Sequence, residues 1–180
     1  MLLKLSLFLG GAIFWTFLEY TLHRGLGHNP KLKNIFTVEH LLHHKEVNYF
    51  AAAYKKAIGA IAVVGGLTLI LGCLMSWGNS FAFSAGLVSM YLVYEYIHSY
   101  LHTHAPRNAY GVMLRKHHFY HHFNNPDKNH GVTTPFWDKI FGTYVKPQGI
   151  IPVPRRSQLK WLTNEKGEVL PEFSDSYCLV

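Results

Sequence analysis

The chain has 180 residues, 49% of them hydrophobic, with 17 Lys and Arg against 10 Asp and Glu and a formal charge of +7 with neutral histidines. That length suits one domain, and because the cations flank apolar runs and no nucleic-acid reader motif is present, the charge points to a membrane surface rather than a nucleic-acid partner. The two cysteines, Cys73 inside an apolar run and Cys178 near the C-terminus, exclude a disulfide framework and a Cys-based zinc site.

In chain order, the first apolar segment covers about residues 2–22 and is interrupted by Lys4 and Glu19. It carries no small-residue cleavage site before Glu19-Tyr20, so a retained span is expected rather than a signal peptide. A second segment, about 57–77, carries no charge, and a third, about 81–101, carries only Glu95. A spanning helix needs ~20 mostly apolar residues, and all three satisfy that. A buried helix of a soluble bundle normally keeps a polar face, which the second segment lacks. Ser76-Trp77-Gly78-Asn79-Ser80 reads as a short turn-forming loop joining the second and third segments into a hairpin.

Cations gather on the opposite side: Arg24, Lys31, Lys33, Lys45, Lys55, Lys56, Arg107, Arg115 and Lys116. The positive-inside rule places these regions in the cytoplasm. The expected fold is an all-α, multi-pass integral membrane protein with about three transmembrane helices and a cytoplasmic histidine-rich helical cap. Residues 1–146 form the membrane domain, with histidine-rich regions at 23–44 and 98–130. Residues 147–180, rich in Pro and polar groups, read as a polar, irregular C-terminal tail.

The compositional anomaly is 13 histidines, and histidine is the commonest protein metal ligand. His23 and His28 follow the first span. His40, His43 and His44 form an H-x-x-H-H box, His98 and His102 an H-x-x-x-H pair, and His118, His121 and His122 a second H-x-x-H-H box. Helical residues at i, i+3 and i+4 share a face, so each box is expected to aim at one point. His23 and His28 would splay on a straight helix, but Gly25 and Gly27 permit a bent end. Ten imidazoles are too many for one ion. Two ions with about five nitrogens each would leave room for oxygen or water, and imidazole suits zinc, copper, iron or nickel. His117 and His104 are expected to face away from the cluster. Glu19, four residues before His23, and Glu95, three before His98, can each accept a ring N–H from a ligand, an outer role also assigned to His130.

The strings HRGLGH at His23, EHLLHHK at Glu39, YEYIHSYLHTHAP at Tyr94, KHHFYHHF at Lys116 and HGVTTPFWDKIFGT at His130 resemble the fatty acid hydroxylase/sterol desaturase superfamily, and most closely the fatty acid 2-hydroxylases. The resemblance implies a di-iron centre that activates O2 and inserts one oxygen into a C–H bond, next to the acyl carbonyl for 2-hydroxylases. It matches the ten histidines to the family's metal-binding boxes. It also implies a lipid acyl substrate drawn from the bilayer and, since no Gly-rich nucleotide fingerprint is present, an external ferredoxin-like or cytochrome electron donor. Zinc can replace iron in recombinant material. The competing expectations are a carotenoid or sterol hydroxylase or desaturase of the same chemistry, and a non-enzymatic zinc-binding membrane protein.

Overall fold

The computed structural model describes residues 1–29, 31–157 and 159–180. Among the described residues six α-helices run in order: α1 (Leu2–Leu22), α2 (Ile35–Lys45), α3 (Ala53–Leu74), α4 (Trp77–Thr103), α5 (Ala109–Phe123) and α6 (Phe136–Ile140). A π-helical turn, His23–Gly27, continues α1, and two short strands, β1 (Ile151–Val153) and β2 (Tyr177–Leu179), close the chain. Asn34 and Asn108 cap α2 and α5, their side chains accepting from Thr37 N at 3.0 Å and Gly111 N at 2.8 Å. Residues 1–19 and 51–96 make one compact unit, and residues 20–50 and 97–180 a second.

The first unit is built from apolar helices. Residues 2–27 and α3 are each long and apolar enough to cross a membrane. Not one residue of α3 is buried, and it exposes Ile61 at 71% and Leu74 at 77%. An apolar surface of that kind is stable against lipid and not against water, which makes this a membrane protein. The third expected span lies wholly inside α4, whose 27 residues include Asn79, Ser80, Ser84, Ser89 and Glu95 and which is not among the two spans that qualify by composition.

The expected hairpin loop is tighter than the sequence suggests. The Ser76 carbonyl accepts from Asn79 N at 2.9 Å and Ser80 N at 3.0 Å, so the helical turn already begins at Trp77. Polar groups tie α3 to α4: the Thr68 and Ser84 hydroxyls lie 2.6 Å apart, Ser80 Oγ donates to the Thr68 carbonyl at 2.7 Å, and Lys56 Nζ meets Glu95 Oε2 at 2.5 Å. Helix α1 packs on α4 so closely that a side chain at Gly86 would collide with the Phe8 carbonyl.

The second unit has its own core of Val47, Phe119, Ile151, Val153, Leu159, Trp161, Leu162 and Tyr177. Six of these eight come from the segment expected to be an irregular tail, so its described residues supply most of this core. Strands β1 and β2 pair in parallel, Ile151 opposite Tyr177 and Val153 opposite Leu179. The strands are three residues each, too short for their alternation to stand out as a pattern in the sequence.

Candidate metal centre

The four histidine clusters all fall in the second unit, on three helices and the π-turn. The π-turn explains the awkward spacing of five between His23 and His28. A π-turn bonds i to i+5, so residues five apart return toward one face, and these rings lie 5.2 Å apart. A side chain at Gly27 would press on the His40 ring, so glycine is needed where the π-turn passes α2.

The ten histidines separate into two quintets. His23, His28, His40, His44 and His121 form the first; His43, His98, His102, His118 and His122 form the second. Within each, the ligand atoms lie within 4.8 Å of one another. The expectation that each H-x-x-H-H box aims at one point is therefore corrected. His40 and His44, at i and i+4, face the first quintet, while His43 is rotated by about 100° from His44 and joins the second. On α5 the division is reversed: His118 and His122 enter the second quintet and His121 the first. The boxes interleave, and His44 stacks on His122 at 4.1 Å across the two groups.

Ring nitrogens converge as ligands of a shared cation do. His28 Nε2 lies 2.9 Å from both His40 Nε2 and His121 Nε2; His44 Nε2 lies 3.1 Å from His121 Nε2, and His102 Nε2 lies 2.9 Å from His118 Nε2. Two nitrogens at right angles around an ion, each ~2.1 Å from it, sit ~3.0 Å apart. Backbone carbonyls orient the rings. His23 Nδ1 donates to the His130 carbonyl at 2.5 Å, His43 Nδ1 to Tyr49 at 2.7 Å and His121 Nδ1 to Lys128 at 2.7 Å. A carbonyl only accepts, so each Nδ1 carries the proton and each Nε2 presents a lone pair. His23 Nε2 and both ring nitrogens of His122 are buried with no hydrogen-bond partner among the described residues. Lone pairs facing one another repel, and a cation among them turns that repulsion into bonds. The residues fit a metal ion in each quintet. Among the described residues no carboxylate joins either group.

The remaining sequence candidates have other places. Glu95 is paired with Lys56, and Glu19 is a buried residue of α1; both belong to the first unit. His130 is buried, its ring centroid 5.2 Å from His121 and 5.5 Å from His23, so it packs beside the first quintet. His117 does face away, bonding Asp138 Oδ2 through Nε2 at 3.1 Å, and exposed His104 stacks on Tyr100.

Asp138 is the residue that sequence reasoning misses. Its buried carboxylate accepts from His130 N and Gly131 N at 2.8 Å each, from Thr143 Oγ1 at 2.7 Å and from His117. Burial pushes this carboxyl up, but the bonds from His117, Thr143 and Gly131 outweigh it and hold the group below its usual range. Asn129, at φ 58°, ties the same loop to the Val145 carbonyl at 2.9 Å. Asp138 thus fixes the carbonyl that orients His23.

Burial also keeps the imidazoles neutral. Burial first, and neighbouring histidines second, lower His28 from its ordinary 6.5 to about 4 and His44 to about 2, and drive His40, His121 and His122 well down. In the unfolded chain these groups bind protons below pH 6.5, while in the fold they do not. Stability is therefore full above that pH and falls as the medium is acidified toward 4, and metal binding, which needs neutral imidazole, falls with it. Denaturation curves at stepped pH check this. Stability that stays level or rises from neutral pH to pH ~5 would contradict it.

Comparison with known proteins gives the family. A family model described as fatty acid hydroxylase matches residues 8–143, and the chain belongs to that family. It is 36% identical over 138 residues to a dihydroceramide fatty acyl 2-hydroxylase of Arabidopsis thaliana, covering 74% of this chain and 58% of that one. The ceramide very long chain fatty acid hydroxylase of Saccharomyces cerevisiae is 31% identical over 78% of this chain and 38% of its own length. The fatty acid 2-hydroxylase of Mus musculus is 30% identical, over 78% and 40%. A solved structure of full-length Scs7p, in which only the hydroxylase domain is visible, superposes with a TM-score of 0.65 at 27% identity, covering 82% of this chain and 58% of that one. The chain spans less than two thirds of each of these relatives.

Proposed function

We propose that each quintet holds one iron ion and that the protein hydroxylates a lipid acyl chain at carbon 2. The observation carrying this is the pair of interleaved five-histidine groups, fed from both H-x-x-H-H boxes. When bound, the ion pair supplies the activation of O2 and the insertion of one oxygen atom into a C–H bond. The chain's own residues do the rest. Burial keeps the imidazoles unprotonated, the Tyr49, Lys128 and His130 carbonyls aim them, and the His44–His122 stack holds the two groups at a fixed spacing.

The relatives' activities on ceramide and dihydroceramide acyl groups support an N-acyl or free fatty acyl substrate. Electrons come from a separate ferredoxin-like or cytochrome donor. Helix α4 serves as the third span, and exposed Arg24, Lys31, Lys33, Lys45 and Arg107 set the histidine-bearing side in the cytoplasm. Expression in a host with and without the chain, followed by mass spectrometry of the lipid extract, tests this reading. The expected product carries one added oxygen, located at carbon 2 by fragmentation. An oxygenated sterol or carotenoid with unmodified acyl chains would overturn the substrate assignment.

A further inference from the structure

The C-terminal segment, beyond the residues 8–143 matched by the family, braces one quintet. Helix α4 carries His98 and His102 and ends at Thr103, and the last carbonyls of a helix lack intrahelical donors. Two side chains meet carbonyls at this helix end, where the Tyr100 carbonyl also accepts from His104 N at 3.1 Å. Fully buried Arg115 donates Nε–H to the Leu101 carbonyl at 2.8 Å and its terminal N–H groups to the carbonyls of Tyr100 and His104. The Trp161 indole N–H donates to the carbonyl of His102 itself at 2.8 Å. The Trp161 ring also lies 4.1 Å from the Arg115 guanidinium, whose charge is stabilised there by the aromatic face.

The same segment reaches the quintet from two further sides. Asn48 Nδ2 donates to the Ser157 carbonyl at 2.8 Å, and Val47 is buried in the core with Ile151 and Leu159. This pins the turn whose Tyr49 carbonyl orients His43. On α5, Phe119 follows His118 and packs on Trp161 and Tyr177 at ring separations of 6.0 and 5.9 Å. The first quintet is oriented instead by the carbonyls of Lys128 and His130, which lie inside the matched region.

We propose that residues 151–179, acting through Trp161, are a positioning element that sets the affinity of the second quintet for its ion independently of the first. This rests on reading the quintets as metal sites. Trp161 touches neither ion nor substrate; it acts through the His102 backbone and Arg115.

The test is anaerobic titration of cobalt(II) into the metal-stripped full chain in detergent, read by visible absorption. His40→Ala and His118→Ala assign the two binding steps to the first and second quintets. Trp161→Phe keeps an aromatic ring and removes the N–H; Trp161→Ala removes both. Changes in groups that orient metal ligands cost about 10–100-fold in affinity, so Trp161→Phe is expected to weaken the second-quintet step about tenfold, and Trp161→Ala more, with the first step within about twofold of wild type. The absorption band of the second step should shift in both. If the alanine variant does not fold, the phenylalanine variant decides. An unchanged second step in Trp161→Phe, or equal weakening of both steps, overturns the proposal. A wild-type chain that binds no cobalt overturns the metal-site reading instead.

Discussion

His121→Ala and His122→Ala are each expected to abolish hydroxylated product while leaving the protein in the membrane. The two residues are neighbours on α5, yet they serve different quintets. His121 presents Nε2 to His28 and His44 and is fixed through Nδ1 by the Lys128 carbonyl. His122 has two buried ring nitrogens without a hydrogen-bond partner among the described residues and stacks on His44. Changes in groups that merely orient ligands cost about 10–100-fold, so loss of a ligand itself should lower product by more than about 100-fold. Each variant should also lose metal from one quintet first. Exposed His104 is the control, and His104→Ala should retain both metal and product. Product yield and metal content of the purified variants check this together, and full activity in both α5 variants would discard the assignment.

Asp138→Ala has the largest expected effect on stability. Removing the carboxylate strands four donors, the His130 and Gly131 amides, the Thr143 hydroxyl and the His117 ring. Breaking a buried, hydrogen-bonded ionic group by deleting one partner costs about 3–5 kcal/mol. Asp138→Asn keeps a carbonyl oxygen but turns an NH2 toward the donors, and should recover only part of the loss. Since the His130 carbonyl orients His23, both variants should also weaken the first quintet more than the second. Denaturation in detergent and metal titration check the two effects. Wild-type stability in Asp138→Ala would show that the loop is held by something else.

Much of this was legible in the residues because helices advertise themselves by length and spacing. The apolar runs place α1, α3 and α4 to within a few residues, and the repeated boxes single out all ten histidines that meet in the quintets. What spacing does not reveal is partition. His43 and His44 are adjacent in one box and about 100° apart around α2, and the placement of α4 and α5 decides which group each joins. The π-turn was foreshadowed by Gly25 and Gly27, but its i to i+5 bonding was not. Asp138 and Arg115 look like ordinary surface charges in the sequence. Their importance comes from burial, which depends on long-range packing. The fold of residues 151–179 is hidden for the same reason, since Ile151, Trp161 and Tyr177 find one another across irregular chain and not along a periodic element.

Iron quantification of anaerobically purified protein tests the central claim most directly. The account predicts two ions bound to every wild-type chain and depletion when either quintet is broken. A chain that carries one ion or none under those conditions, or whose iron survives the loss of His121 and of His122, would contradict it.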